Sequence, residues 1–124
     1  ADTGNNRIAI LDTESGEAGE DLERSEPGTI HYEMVGATLS TFIDGVDFGM
    51  VAPSGIDIID DILFVTDNET SEIIAFNMSG EEVDRLDTRL APGSLMGIAA
   101  RSLEDIWLVS ATEDRIYRLQ PVTK

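Results

Sequence analysis

The sequence contains no cysteine, and this absence excludes disulfide bonds, thiolate nucleophiles and zinc–thiolate sites. His31 is the one histidine, so a zinc centre with three histidine ligands cannot be assembled from this chain. No run approaches the roughly 18 apolar residues of a membrane-spanning helix, and no charged-then-apolar signal segment opens the chain. We therefore expect no membrane insertion and a mature or excised polypeptide.

Basic residues are also scarce, with 8 lysines and arginines against 25 aspartates and glutamates, for a formal net charge of -17. Such a field repels the phosphates of nucleic acids and of anionic lipid head groups, so both are excluded as partners. An acidic surface attracts divalent cations and basic proteins, although acidity also serves solubility alone.

One sequence pattern occurs three times in the chain. The segment Asp2–Asp12 is followed by similar segments at Asp67–Asn77 and Ser110–Leu119, and each begins with a polar turn that leads into an alternating strand. The second and third copies start 43 residues apart, from position 67 to position 110. This period is typical of propeller blades of four short strands, so the sequence predicts an all-β fold.

The repeat divides the chain into one full blade and two partial blades. Residues 1–35 form an incomplete blade with an acidic, solvated loop at 14–28, after which Thr29–Val35 alternates like an outer strand. Residues 36–88 form a full blade with its linker, and residues 89–124 form a blade without its fourth strand. The predicted fold class is therefore a β-propeller segment of four-stranded antiparallel blades in an incomplete ring.

An incomplete ring leaves apolar blade faces and open strand edges. In the full blade, Ile73 and Ala75 are predicted to face opposite to Ile74 and Phe76, so both faces of the sheet need a neighbour. Exposed apolar faces and unpaired strand edges are sites for association with other protein. We expect a protein partner, through self-association or through another propeller chain, or completion of the ring by sequence that is missing here.

The turn Asp2–Ile8 resembles the NHL repeat, whose blades have a proline-glycine turn and an Asp-x-x-Asn-x-Arg-Ile motif. The second blade keeps Pro53 and Gly55 but has Glu72 where arginine is usual, and the third has Ser110 in place of aspartate. The resemblance implies a non-catalytic module for protein assembly or recognition, in the periplasm or outside the cell. It also implies that the motif's aspartate and arginine are chiefly structural.

The chain is also similar to calcium-dependent six-bladed lactonases of the gluconolactonase and senescence-marker type, and this resemblance implies an alternative function as part of a calcium-dependent hydrolase. In that family an asparagine in the proline-glycine turn and an aspartate at a strand end bind calcium. Ser54 stands at the asparagine position and Asp67 at the aspartate position. Asp44 and Asp47, which flank Gly45, are further calcium candidates because calcium selects hard oxygen ligands. Aspartates that cap turn amides are the competing interpretation for all of them.

Two other residues invite a functional interpretation. His31 could act as an acid or base, but it has no carboxylate partner at a fixed spacing, so a structural or exposed position is favoured. Trp107 could stack on carbohydrate, but its place between Ile106 and Leu108 favours packing between blades.

Overall fold

The computed structural model describes residues 1–22, 28 and 31–122. These residues form eleven strands and two short 3-10 helices, at Thr3–Asn5 and Gly45–Phe48. The strands are β1 Arg7–Leu11, β2 Glu17–Asp21, β3 Tyr32–Val35, β4 Leu39–Asp44, β5 Pro53–Ile59, β6 Ile62–Asp67, β7 Glu72–Asn77, β8 Glu82–Asp87, β9 Leu95–Ser102, β10 Asp105–Ser110 and β11 Arg115–Leu119. The chain divides into two compact units, Ala9–Thr41 and the rest.

The strands form sheets of neighbouring antiparallel partners. The first sheet pairs β1 with β4, the second sheet has the order β5-β6-β7-β8, and the third has the order β9-β10-β11. Strands β2 and β3 form a separate two-stranded hairpin. The predicted all-β class with antiparallel sheets of up to four strands is therefore confirmed.

The inner strands β6 and β7 of the second sheet are largely buried on both faces. On β7, Ile74 and Phe76 belong to one apolar core, while Ile73 and Ala75 belong to another. The first core includes Ile8 from β1 and side chains from β4, and the second core joins the second sheet to the third. The alternation that the sequence predicts for β7 is confirmed, and each core is the contact between two successive sheets.

The fourth strand of the first blade is not where the sequence analysis placed it. The outer strand was predicted at Thr29–Val35, but β1 pairs with β4, Leu39–Asp44, and the described part of the predicted strand pairs instead with β2. Thr29 itself lies outside the described residues. The prediction was wrong because β2 and β3 form a hairpin of their own between β1 and β4, and the predicted outer strand is part of that hairpin.

The predicted acidic loop at 14–28 is likewise partly a strand. Strand β2 occupies Glu17–Asp21 and every residue in it is exposed, while residues 23–27 lie outside the described part of the chain. Hydrogen bonds of Ser15 join the two ends of the segment that contains the β2–β3 hairpin. Its hydroxyl accepts from the Thr38 amide at 2.7 Å and donates to the Asp12 carbonyl at 2.6 Å. The exposure agrees with the expected solvation, and the strand is the correction.

Arg85 fixes the outer strand β8 to its neighbours. Its guanidinium contacts the carboxylates of Glu72 at 2.9 Å and Glu82 at 2.7 Å, and it donates to the Phe48 carbonyl at 2.8 Å. Hydrogen bonding to Arg85 lowers the pKa of Glu82 below its usual value of 4.5. A carboxyl group whose folded pKa is depressed stabilises the fold above its unfolded pKa, and this contribution disappears as the pH falls through the folded pKa.

We therefore expect Glu82→Gln to be slightly less stable than wild type at neutral pH, by less than about 1 kcal/mol because the pair is partly solvated. The difference should shrink as the pH falls below 4.5, the usual pKa of this group. Urea unfolding of both proteins at several pH values measures it. Glu69→Gln, which removes the same charge at an exposed turn position, is the control and should stay within about 0.5 kcal/mol of wild type at neutral pH. A Glu82→Gln difference that is constant with pH would contradict the assignment.

Candidate functional site

The three repeated turns share one backbone geometry. Their fifth residues, Asn6, Ser71 and Asp114, all have a positive φ, of 48°, 60° and 52° respectively. In the first two turns the carbonyl of this residue accepts a hydrogen bond from the residue after the fourth strand, Gly45 at 2.8 Å and Thr88 at 3.1 Å. The repeat in the sequence is therefore also a repeat in backbone conformation and hydrogen bonding.

Asp67 is fully buried and has backbone partners for both of its carboxylate oxygens. One oxygen accepts from the amides of Glu69 at 3.0 Å and Thr70 at 2.9 Å, within its own turn. The other accepts from the amides of Val51 at 2.8 Å and Ala52 at 2.9 Å, in the linker between the first and second sheets. Asp67 therefore joins a turn to a distant linker, and its chemistry here is that of a structural acceptor.

The other two turns differ at the same position. Asp2 forms an ion pair with Arg7 at 2.7 Å and accepts from Asn5 at 3.0 Å, and the bond to Arg7 lowers the pKa of Asp2. In the third turn Ser110 replaces the aspartate, and its buried hydroxyl has no hydrogen-bond partner in the described structure. The aspartate and arginine of the first turn thus have a structural role, and the third turn lacks it.

Side chains of the turns also reach forward to the next sheet. Thr3 donates to the Pro53 carbonyl at 2.6 Å, and the corresponding residue of the second turn, Asn68, donates to the Leu95 carbonyl at 2.8 Å. Ser54 donates to the same Leu95 carbonyl, also at 2.8 Å. Ser54 stands where the similar lactonases have a calcium-binding asparagine, and its hydroxyl here links the second sheet to the third.

The three calcium candidates occupy different local settings. Asp44 caps the 3-10 helix Gly45–Phe48 by accepting from the Val46 amide at 3.1 Å, Asp47 is exposed on that helix, and Asp67 binds amides. Among residues 1–22, 28 and 31–122, no three histidine, aspartate or glutamate side chains converge as a metal site requires. Calcium binding stays a prediction.

His31 and Trp107 lie outside both apolar cores. His31 is exposed, directly before β3. Trp107 is half-buried, and the Arg118 guanidinium lies 5.2 Å from the centre of its ring. Since Arg118 also pairs with Asp105 at 2.7 Å, it covers the indole from a fixed position. The expected packing of Trp107 between two sheets is not observed.

The open edge of the third sheet borders an apolar groove. Within the described part of the chain, β11 has a strand partner on one side only, β10. Beside the free edge lie a cavity of about 370 Å³ and a second of about 220 Å³, which share Leu86 of β8 and Leu119 of β11. We call these two cavities together the edge groove. Its apolar walls include Phe64, Ile73, Ala75, Ile106 and Leu108.

Carboxylates dominate the rim of the edge groove. Asp84, Asp87 and Glu104 line it, and in the structure as described none of them is in an ion pair. The one cation that lines it, Arg85, already binds Glu72 and Glu82. The groove is thus an apolar surface with uncompensated negative charge at its margin. Sequence reasoning could predict a free edge here but not this groove, because it depends on where β8 lies beside β11.

The opposite face of the same edge is apolar and exposed. Ile116 on β11 is 66% exposed, and Val109, its partner on β10, is 44% exposed. A β-branched pair on an edge strand is normally covered by further protein, because an edge with such residues templates association. Both faces of β11 therefore present apolar side chains next to unpaired backbone.

The described residues include no helix with the length and apolar character that crossing a bilayer requires. No family model, curated protein or solved structure matches this chain.

Proposed function

We propose that this chain is a non-catalytic propeller segment for protein assembly or recognition, and that other chains or further sequence of the same protein complete its sheets. The observation that carries the proposal is the free edge of β11 beside the edge groove. An added strand would gain backbone hydrogen bonds from β11 and would bury apolar side chains in the groove, which is the physical basis of recognition by β-strand addition.

The packing of the first two sheets supports the proposal. In the second sheet, the outer strand β8 pairs with β7. Arg85 on β8 donates a hydrogen bond to the carbonyl of Phe48, which precedes the second sheet in the chain. The third sheet has strands equivalent to β5, β6 and β7, and the position equivalent to β8 is the space beside β11. A strand in that position would complete the same four-stranded plan.

The proposed setting is the periplasm or the outside of the cell. It is supported by the resemblance of the turn Asp2–Ile8 to NHL repeats, and the net charge of -17 suits basic protein partners. The candidate partners are further copies of this chain or another propeller chain.

Native mass measurement tests this function. We expect the chain, purified from its natural source at low and at high salt, to be part of a particle that contains several copies or a second polypeptide. High salt, about 0.5 M, screens exposed charges and so separates apolar from electrostatic contributions to the assembly. A lone compact particle with the mass of this chain alone, at every salt concentration and with no co-purifying chain, would overturn the proposal.

A further inference from the structure

We infer that the edge groove is a docking site for an extended segment of a basic partner protein, with apolar side chains at alternate positions and lysine or arginine at its ends. The inference rests on the proposed assembly function and specifies its partner.

The second sheet gives the register of such a segment. There Ile74 lies opposite Arg85, and Phe76 lies opposite Glu82, across the β7–β8 pair. Tyr117 and Leu119 stand 43 positions after Ile74 and Phe76, and both line the edge groove. A strand paired with β11 would thus place alternate side chains over Tyr117 and Leu119, facing into the groove.

The lining of the groove requires that those alternate side chains be apolar. Its floor includes Phe64, Ile73 and Ile106, and its sides are Leu86 and Leu119. A polar group without a partner would lose its hydration on entering this space, whereas an aliphatic group would remove apolar surface from water.

The charge around the groove favours a basic segment over a second copy of this chain. Asp84, Asp87 and Glu104 line the rim without cation partners among the described residues, and lysine side chains at the ends of the segment would reach them. Two copies of a chain with a net charge of -17 repel each other, whereas a basic partner is attracted. The acidic rim would also repel acidic strands, and so it would discriminate between basic and acidic partners.

A binding measurement with synthetic peptides tests the inference. The probe is a short peptide, capped at both ends, that alternates valine and threonine between terminal lysines, and it is titrated into the full chain at moderate salt. We expect it to bind about tenfold more tightly than the same peptide with glutamates at its ends, since two or three partly screened charge pairs differ between them. Amide hydrogen exchange in Arg115–Leu119 should slow when the lysine peptide binds.

Matched variants place the site. The double variant Asp84→Asn and Glu104→Gln should lose most of the preference for the lysine peptide, whereas Asp61→Asn with Glu69→Gln, which removes the same charge from exposed turns, should keep it. A lysine peptide with proline at its central positions cannot donate the backbone hydrogen bonds and should bind at least about tenfold more weakly.

The outcomes separate this inference from the proposed function. Equal binding of lysine and glutamate peptides, or protection elsewhere than β11, overturns the docking site even if the native chain is part of an assembly. Self-association of the purified chain that protects β11 overturns the basic partner in favour of a second copy. A native chain that is always alone overturns the proposed function, whatever the peptide does.

Discussion

Asp67→Asn is expected to lower the free energy of unfolding by roughly 3 to 5 kcal/mol, because it removes an acceptor from a buried site with four amide donors. Asparagine has nearly the same size, but one of its two terminal groups donates instead of accepting. Either the turn amides of Glu69 and Thr70 or the linker amides of Val51 and Ala52 would then face a donor. Each unsatisfied buried amide costs about 1 to 3 kcal/mol.

Denaturant unfolding of the purified variant measures this effect, with Asp61→Asn as the matched control. Asp61 is also an aspartate in a turn, but it is exposed and has a positive φ of 59°, which asparagine tolerates. We expect the control to stay within about 0.5 kcal/mol of wild type. If Asp67→Asn were as stable as this control, the bonds from Asp67 to the linker would not stabilise the fold.

The two positions show what a sequence can predict about an aspartate in a turn. The motif predicted that Asp67 caps a turn, and its bonds to Glu69 and Thr70 agree with that interpretation. The bonds to Val51 and Ala52 were not predictable, because they depend on how the linker folds against the second sheet. The sequence therefore predicted the hydrogen bonds of Asp67 within its turn, but not its hydrogen bonds to the linker.

The first sheet shows a different limit. The sequence analysis placed the outer strand directly after the acidic loop at 14–28 rather than at Leu39–Asp44. One signal could have found the strand: β4 ends at Asp44 and β8 ends at Asp87, and the residue after each donates to the positive-φ residue of its turn. Counting backward from the second sheet would have located β4, because only the segment with the β2–β3 hairpin differs in length between the first repeat and the second.

The edge groove was outside the reach of sequence reasoning for a physical reason. Alternation predicts which face of β11 is apolar, but the width of the space between β8 and β11 depends on the packing of two whole sheets. Leu86 and Leu119, which border it, look like ordinary core positions in the sequence. The sequence therefore predicted an open edge, and the structure adds an apolar groove with an acidic rim.

A strand supplied in the same chain should close this edge. We expect a variant extended after Gln120 by a copy of Met78–Asp87, with Glu81→Lys, Glu82→Val, Arg85→Val and Asp87→Lys in the copy, to gain about 1 to 3 kcal/mol in unfolding free energy, the range for one well-buried aliphatic side chain. The copied turn and strand have the spacing that already joins β7 to β8. Valine replaces the copied Glu82 and Arg85 because both positions would face the apolar groove, and because Arg115 stands where Glu72 pairs with Arg85. Lysine replaces the copied Glu81 and Asp87 because carboxylates line the rim of the groove.

The same extension should abolish docking, since one strand cannot pair twice on the same edge. Binding of the lysine-ended peptide should fall by at least about tenfold. The added strand should also make the amides of β11 exchange slowly without any peptide, because it would accept their hydrogen bonds. A chain with a glycine-serine tail of equal length is the control, and it should bind the peptide as wild type does. If the extended chain gained stability and still bound the peptide, the edge of β11 would have closed while the docking site lay elsewhere. A loss of binding without protection of β11 would mean that the tail merely obstructs the groove, and the strand geometry would be wrong.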